Sequence, residues 1–436
     1  MPRVCQTPLR RELLLALTLM SVSAPVSARV FETVEVRGAQ FIPAEDIRMT
    51  CGAMPNIDYA SYELRAIEDC LMLTGVFEAV SLYPEGDALI IDVAEIDDRP
   101  GRIEAALSYV SDHGVVGELS FEQYNLFPGT YGALNLSFNS EVKSLEAHLY
   151  RADAFNETLD FGVDLFALES DLDDTGYSEQ GVRAEPYLAW TPYDHARLEM
   201  GLGWRSYRMY DVDTSASALL FKEETDEISA PYLRISAVYS GGGEQQDVPD
   251  GVESLEYGLR LDQYLWNIGS EDVLSDSRLE ANLIQPFGEG YRFLGTLRAG
   301  SVIGLSGNDT RAIDRFFPGA DTFRGFAPRG IGPRDGGGSL GGNHYLVGSI
   351  EVQRDIGEVL SMPMQAGLFV EAGSSWGLDD TLSGRIDDSW HSRVSTGLSL
   401  TFEVANTPVS LYVATPLRKF AGDTTQTFGL SFTTRF

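Results

Sequence analysis

From residue 102 to residue 436, apolar and polar residues alternate in stretches of about ten, separated by polar turns that contain glycine. Successive side chains of a β-strand point to opposite faces, so this period of two predicts strands with one apolar and one polar face. Sixteen strands are predicted, near residues 102–110, 115–124, 130–140, 143–151, 157–168, 180–190, 195–208, 230–240, 255–265, 276–286, 290–302, 343–354, 362–373, 390–402, 408–415 and 425–436. An even number suits a closed antiparallel barrel of the outer membrane, in which every backbone group finds a partner. We predict a 16-stranded transmembrane β-barrel over 102–436, with a soluble β-sandwich as the alternative.

Residues 29–97 follow a different pattern, in which strand-like and helix-like periods alternate. The predicted elements are a strand over 31–38, a short helix opened by Pro43, an amphipathic helix from Tyr59 to Leu73, and strands over 78–83 and 88–94. The order β-α-α-β-β in a short segment predicts a small α+β domain. Residues 98–101, which include Pro100 and Gly101, are predicted to be a polar hinge between this domain and the barrel.

The first 28 residues have the features of a secretory signal peptide. Arg10 and Arg11 precede an apolar run over 13–22, and Val26-Ser27-Ala28 is a small-x-small cleavage pattern. Beyond Ala28 no apolar run is long enough for a membrane-spanning helix. The signal peptide and the strand pattern together predict a bacterial outer-membrane protein whose N-terminal domain lies in the periplasm.

The net charge of −33 at pH 7 argues against a nucleic-acid partner, because phosphates require a basic surface. Acidic residues cluster in predicted turns such as 169–174 and 223–227, where solvated loops and a divalent-cation site are both possible interpretations. None of the five histidines lies in a metal-ligand spacing. We therefore predict no metal and no cofactor.

The exported chain retains two cysteines, Cys51 and Cys70, and both fall in the N-terminal domain. An oxidising compartment permits a disulfide between them but does not require one. A bridge and two buried thiols are therefore equal alternatives.

Aromatic residues recur near the predicted strand ends, where barrels carry interfacial girdles. These residues are Tyr187, Trp190, Trp204, Tyr207, Tyr210, Tyr264 and Trp266. The last predicted strand has Phe428, Leu430, Phe432 and Phe436 on one face. A terminal aromatic that closes such a strand is a signature of bacterial outer-membrane barrels.

The predicted loop 303–342 is too long and too aromatic for a simple connection. Its centre is Phe323-Arg324-Gly325-Phe326. Glycine permits tight turns, phenylalanine provides apolar contacts, and the planar guanidinium of arginine suits a bidentate pair with a carboxylate. The next two strands offer Glu351 and Glu371. We predict that the loop folds into the lumen and is tethered there; in the alternative, Arg324 is an exposed cation and the glutamates line a wet lumen.

Catalytic motifs are not found in the sequence. It contains no Walker loop, because the run 336–338 lacks the following Gly-Lys-Ser/Thr. Nothing groups a serine and an acid with any histidine. We therefore predict that the protein is not an enzyme.

The core Phe323-Arg324-Gly325-Phe326, continued by Gly-Ile-Gly-Pro-Arg-Asp over 330–335, resembles the sixth extracellular loop of the BamA/TamA superfamily of outer-membrane assembly factors. This superfamily includes the two-partner secretion translocators. Residues 29–97 resemble a polypeptide-transport-associated (POTRA) domain, including the passage from helix into strand over 73–80. The resemblance implies that acids on the next two strands, at Glu351 and Glu371, hold Arg324 inside the barrel.

The resemblance also implies a lateral seam between the first and last strands, which opens so that a client strand can add by β-augmentation. The seam residues are Ile103, Ala105 and Leu107 in the first strand and Gly429, Phe432 and Phe436 in the last. Two interpretations of Gly429 remain open: it permits a kink, or it is a small residue where the lumen is crowded.

The predicted function is the insertion or export of unfolded outer-membrane or secreted client proteins. Further partners implied by the resemblance are outer-membrane lipid, lipopolysaccharide, and periplasmic or lipoprotein accessory factors. Because BamA and TamA relatives carry several POTRA modules and residues 29–97 have room for one, an accessory insertase close to TamA in role fits better than a principal one. The alternatives are a two-partner secretion translocator and a passive channel or surface antigen.

Overall fold

The computed structural model describes residues 29–432, except 40–41, 43, 56, 75, 97–101, 111–113, 157, 172–174, 194, 242–254, 306, 321, 360–361 and 405–406. The chain divides into two compact units, Met1–Arg99 and Pro100–Phe436. The predicted signal peptide (1–28) and hinge (98–101) lie outside the described residues. Within the described part, every helix is too short or too polar to cross a membrane.

The N-terminal unit is a small α+β structure. Its elements are β1 (Arg29–Val30), β2 (Thr33–Arg37), α1 (Ala44–Thr50), β3 (Asp58–Tyr59), α2 (Ser61–Leu73), β4 (Phe77–Glu85) and β5 (Ala88–Glu95). In the three-stranded sheet, β5 lies between β2, to which it is parallel, and β4, to which it is antiparallel. Ile47 of α1 and Leu71 of α2 pack with Leu89 and Ile91 of β5 in one apolar core. The predicted elements are present, with a short β1–β3 pair in addition.

A disulfide between Cys51 and Cys70 joins the end of α1 to α2, so the structure has the first of the two alternatives that the sequence left open. The helix predicted from Tyr59 begins at Ser61 instead. Tyr59 is held in β3 because its hydroxyl accepts a hydrogen bond from the N–H of Met54 at 2.7 Å. A native disulfide of this kind typically contributes about 2–4 kcal/mol to stability.

The second unit is the transmembrane β-barrel. Its strands are β6 (Arg102–Val110), β7 (Gly114–Phe127), β8 (Thr130–Phe138), β9 (Val142–Asn156), β10 (Leu159–Asp171), β11 (Ser178–Tyr193), β12 (Ala196–Tyr210), β13 (Thr225–Gly241), β14 (Glu256–Trp266), β15 (Leu274–Phe287), β16 (Tyr291–Gly304), β17 (Arg334–Asp335), β18 (Gly338–Ser339), β19 (His344–Val359), β20 (Met362–Trp376), β21 (Arg393–Val404), β22 (Thr407–Arg418) and β23 (Phe428–Phe432). β17 and β18 form a separate hairpin, and the other sixteen pair in chain order in one antiparallel sheet. The predicted number of strands is confirmed.

The two faces of the barrel wall differ as the alternation predicts. On β12, Leu198, Met200 and Leu202 are exposed on the outer face. Gly201 and Gly203, on the inner face, lie under the side chains of Glu185 and Tyr232, where a Cβ atom would approach within 2.4 and 2.3 Å. The outer face is therefore apolar, and the inner face is filled by polar and aromatic side chains.

The predicted aromatic girdle is only partly correct. Trp190 and Trp204 are half exposed on the outer face, as a girdle requires. Tyr207, Tyr264 and Trp266 lie inside instead, where the rings of Tyr264 and Trp266 stack at 4.5 Å, and Tyr187 is also buried. The guanidinium of Arg205 covers Tyr207 and Trp266 at 3.9 and 4.3 Å. Aromatic residues occupy both strand faces here, so composition near a strand end does not reveal the face.

Ion pairs cross the inner wall between β10 and β13. Arg234 donates to Glu185 at 2.5 Å and to Glu199 at 2.7 Å. Arg197 donates to Glu199 at 2.8 Å and to Asp160 at 3.2 Å. Each arginine therefore joins two acidic side chains of the lumen. This part of the wall is held together by side-chain ion pairs as well as by the backbone hydrogen bonds between its strands.

Loops at one end of the barrel, the end that the predicted orientation places outside the cell, share an apolar core. A short helix, α3 (Ala218–Glu223), lies in the loop after β12. Its Leu219 and Leu220 pack with Tyr177, Ala312 and Leu340, which belong to other loops. Glu223 of α3 accepts hydrogen bonds from Arg315 and from the N–H of Ala312, and burial raises the pKa of Glu223 to about 7. The loops thus form a packed cap.

Candidate functional site: the loop inside the barrel

The long loop runs from the end of β16 at Gly304 to the start of β19 at His344. Phe323 and Phe326 are completely buried, and their rings pack at 4.7 Å. Ile331 and Val347 of β19 complete this small apolar cluster. Burial of two whole phenylalanine side chains contributes several kcal/mol, at roughly 1.5–3 kcal/mol each, to holding the loop against the wall.

Arg324, between the two phenylalanines, makes charged contacts with the barrel wall. Its Nε donates to Glu371 at 2.6 Å and its Nη1 donates to Glu351 at 2.7 Å. Its Nη2 donates to the hydroxyl of Ser349 at 3.1 Å. The guanidinium carbon lies 3.5 Å from the ring centroid of Phe369, a cation–π contact. The Arg324 side chain is therefore bound to β19 and β20 together.

The register of β19 and β20 explains this arrangement. Ser349 lies opposite Glu371, and Glu351 lies opposite Phe369. Because alternate residues of a strand share a face, all four side chains point into the lumen as one square patch. The planar fork of Arg324 covers this patch, and a shift of one residue in either strand would dismantle it.

The main chain of the loop is fixed at the same place. The N–H of Arg324 donates to Glu371 at 2.7 Å, and the carbonyl oxygen of Arg324 accepts from Ser395 of β21 at 2.5 Å. Gly325 follows with φ of 96°, and a Cβ atom there would lie 3.1 Å from the Cβ of Ser395. Glycine is therefore required by backbone conformation and by space.

The carboxylates of the site are buried but well supplied with donors. The side chains of Glu351 and Glu371 are 7% and 5% exposed. Glu351 also accepts from Gln353 at 2.7 Å and from Ser399 at 2.5 Å. Burying two negative charges beside one positive charge is costly, and these neutral donors reduce that cost. Loss of the Arg324 guanidinium would therefore leave two buried carboxylates without the cation that compensates their charge.

The structure brings together the predicted loop motif, Phe323 to Phe326, with both predicted acids, Glu351 and Glu371. Both acids contact Arg324 at once. Ser349, Phe369 and Ser395 also belong to the site but are not predicted from the sequence, because their place in it depends on strand register.

The predicted seam residues are described only in part. Ile103 of β6 is 71% exposed, and Ala105 is also exposed. Leu107 and Phe432 lie in β6 and β23, but their side chains, like the whole of Phe436, lie outside the described residues. A Cβ atom on Gly429 would lie 2.3 Å from the hydroxyl oxygen of Tyr412, so this glycine is a small residue under a crowded lumen. No cluster of potential metal ligands occurs among the residues that the structure describes.

Comparison with known sequences identifies a protein family. Residues 128–436 match the Omp85 superfamily domain. The outer membrane protein assembly factor BamA of Neorickettsia risticii is 28% identical over 356 residues, which cover 79% of this chain and 47% of that protein. The BamA of Nitratidesulfovibrio vulgaris is 23% identical over 339 residues, covering 73% of this chain and 41% of that protein. The chain thus spans less than half the length of these curated relatives.

Solved structures show the same architecture. BamA from Haemophilus ducreyi lacking POTRA domains 1–3 has a TM-score of 0.71 at 17% identity, covering 92% of this chain and 84% of that one. CdiB from Acinetobacter baumannii has a TM-score of 0.53 at 11% identity, covering 92% and 73%. At these identities the likeness concerns the fold. Since the family match extends over more than half of the sequence, this chain belongs to the Omp85 superfamily of bacterial outer-membrane β-barrel proteins.

Proposed function

We propose that this protein inserts or exports client proteins through a lateral seam of its barrel, without a cofactor and without covalent chemistry. The observation that carries the proposal is the buried contact of Arg324 with Glu351 and Glu371 inside an Omp85 barrel. A passive pore gains nothing from a loop held across its lumen by three buried charges. A barrel that must keep a defined shape while its wall opens does gain from such a brace.

Client entry is proposed at the N-terminal unit. In its three-stranded sheet, β2 lies at an edge and pairs, among the described residues, with β5 alone. An extended client segment can add to an open edge through main-chain hydrogen bonds, which do not depend on the side chains of the client. Such an edge suits clients that are unfolded and diverse.

Client release is proposed at the seam between β6 and β23. In the sheet order these are the two end strands, β23 next to β22 and β6 next to β7. A client strand can add to such an end strand by β-augmentation. The proposed partners are therefore unfolded outer-membrane or secreted proteins, with lipid, lipopolysaccharide and periplasmic or lipoprotein accessory factors as the surroundings in which transfer occurs.

Depletion of the protein, followed by complementation, tests this function. Cells that carry Arg324→Ala should contain fewer folded outer-membrane barrels, measured by heat-modifiable migration, than cells that carry wild type. Arg385→Ala is the matched control, because Arg385 pairs with Asp335 at an exposed site, at 3.1 Å. Unchanged barrel levels after depletion would refute an assembly role.

The same cells separate the two other candidate functions. A dedicated secretion translocator predicts normal barrel levels and loss of one exoprotein from the medium. A passive channel predicts robust single-channel conductance from the wild-type protein with the loop out of the lumen. The buried loop favours neither a wide resting pore nor free diffusion.

A further inference from the structure

The loop inside the barrel also contacts the last extracellular turn, residues 419–427 between β22 and β23. Three main-chain N–H groups donate across this contact: Ala327 to Thr424 O at 3.1 Å, Thr424 to Gly330 O at 3.0 Å, and Gln426 to Gly325 O at 3.2 Å. Phe326 and Thr425 form an antiparallel bridge. The loop and the turn are thus joined by a short ladder of their own.

The close approach of the two backbones depends on a glycine. A Cβ atom on Gly330 would lie 2.4 Å from Ala327 O and 2.7 Å from Thr424 O. Real Cβ atoms do not come this near to backbone oxygens. Any larger residue at 330 would therefore push the loop away from the turn.

A buried ion pair holds the same turn from the other side. Arg393 of β21 donates to both carboxylate oxygens of Asp423, at 3.0 and 2.9 Å. Their side chains are 2% and 1% exposed. Asp423 also accepts from the N–H of Phe420 at 2.6 Å, and Arg393 donates to the carbonyl of His391 at 2.9 Å. The bidentate geometry fixes the turn in one position.

The turn leads directly into the last strand. Gln426 lies two residues before Phe428, where β23 begins, and the carbonyl of Thr427 accepts from Ala414 of β22 at 2.8 Å. Through Arg324, the loop is bound to β19 and β20, which lie four and three places from β23 in the barrel order. The outer end of the last strand is therefore positioned by distant wall strands as well as by its neighbour.

We propose that these contacts form a latch, defined as the ladder between residues 325–330 and 424–426 together with the Arg393–Asp423 pair. The latch keeps the outer end of β23 in place, and Arg393 and Asp423 are its positioning residues. The inference rests on the proposed function, in which the seam opens. Opening the seam at its outer end then requires the latch to open, and release of Arg324 from its acids loosens the latch.

Hydrogen exchange of the full-length refolded barrel tests the latch. Asp423→Asn keeps the shape of the side chain but removes its charge, and should accelerate amide exchange over residues 424–432 by roughly 10-fold or more. Arg324→Ala should also accelerate amide exchange over residues 424–432, although Arg324 lies on the other side of the ladder from this segment. Exchange in β10 should stay unchanged in both variants, which separates a latch from general destabilisation of the barrel.

Asp380→Asn is the control, because Asp380 pairs with Lys222 at an exposed site in a neighbouring extracellular loop. It should leave residues 424–432 at the wild-type rate. If Asp423→Asn leaves their exchange unchanged, or if Arg324→Ala accelerates exchange only within its own loop, the latch does not exist.

A reversible lock gives a second readout, which does not depend on Asp423→Asn folding. Ala327 and Thr424 are in direct main-chain contact, because the N–H of Ala327 donates to Thr424 O at 3.1 Å. Facing residues of antiparallel segments lie about 4.5–5.5 Å apart at Cα, a spacing that a disulfide accepts. Ala327→Cys with Thr424→Cys should slow exchange over 424–432 when oxidised and should block client assembly until a reductant is added. If exchange responds as expected but assembly continues under oxidation, the latch stands and the proposed function fails. If assembly requires Arg324 but exchange over 424–432 responds to none of these variants, the function stands and the latch fails.

Discussion

Arg324→Ala removes the cation that pairs with two buried carboxylates, Glu351 and Glu371, and leaves both carboxylates in place. The side chains of Arg324 and Glu371 are 12% and 5% exposed. Removing one partner of a buried ion pair costs about 3–5 kcal/mol, because the remaining charge is left without compensation. That cost corresponds to an increase on the order of 100-fold or more in the population of the detached loop.

Native-state hydrogen exchange of the intact barrel measures this population directly, since exchange of loop amides reports local opening. The informative amides are those of Phe323, which donates to Gly319 O at 2.6 Å, and Gly330, which donates to Ala327 O at 2.8 Å. Both should exchange on the order of 100-fold faster in Arg324→Ala. Wall strands distant from the site provide the internal reference.

Comparison with Arg385→Ala isolates the effect of burial on the strength of an arginine–carboxylate pair. Arg385 and Asp335 also form an arginine–carboxylate pair, but their side chains are 59% and 21% exposed. Exposed pairs contribute about 0–1 kcal/mol, so this variant should change loop exchange less than about 5-fold. If the two variants have equal effects, the argument from buried charge is wrong.

A neutral version of the site tests the same reasoning from the opposite direction. Arg324→Met combined with Glu351→Gln and Glu371→Gln leaves no unpaired charge. We expect this triple variant to hold the loop better than Arg324→Ala, because replacing a whole buried charge cluster by neutral groups is often close to neutral for stability. Loop exchange in the triple variant that is as fast as in Arg324→Ala would mean that the missing contacts, and not the uncompensated acids, dominate.

Three further outcomes follow from the contacts. Gly325→Ala, at φ of 96° and close to Ser395, should destabilise the loop by about 1–3 kcal/mol in the exchange measurement, and a wild-type rate would contradict the need for glycine. Gly429→Val should lower the refolding yield of the barrel through a clash with Tyr412, and Tyr412→Ala should restore it; no rescue would point to another cause. Cys51→Ser should lower the unfolding free energy of the N-terminal unit by about 2–4 kcal/mol while the heat-modifiable barrel is unchanged, and equal loss in both units would contradict their independence.

Much of the barrel could be predicted from the sequence because its signal is periodic and repeated. Each strand alternates polar and apolar positions, so sixteen separate segments support one architecture. Strand ends were less certain: β13 begins at Thr225, whereas alternation indicated a start near 230. Hydrogen bonding continues beyond the membrane-facing part of a strand, where nothing forces side chains to alternate in polarity.

The strand face on which an aromatic residue lies, membrane or lumen, could not be predicted in the same way. Tyr264 and Trp266 were expected at the membrane interface but lie in the lumen beside Arg205. Tyrosine and tryptophan suit both places, because each has an apolar ring and a polar group. Only the register of the neighbouring strands decides which face they occupy.

The tether and the latch differ in how far the sequence could reveal them. Arg324 stands between two phenylalanines in a short motif, and its acids lie on the next two strands, so local reasoning was sufficient to connect them. Arg393 and Asp423 carry no such motif, and each is an ordinary charged residue near a strand end until the fold buries both. Yet both features act on the same stretch of chain, since residues 325–330 and Asp423 hold the turn before β23 from opposite sides. A loop that only stabilised the barrel would need no contact with that turn. The ladder is therefore the feature that connects a buried brace to the edge of the wall that opens in the proposed function.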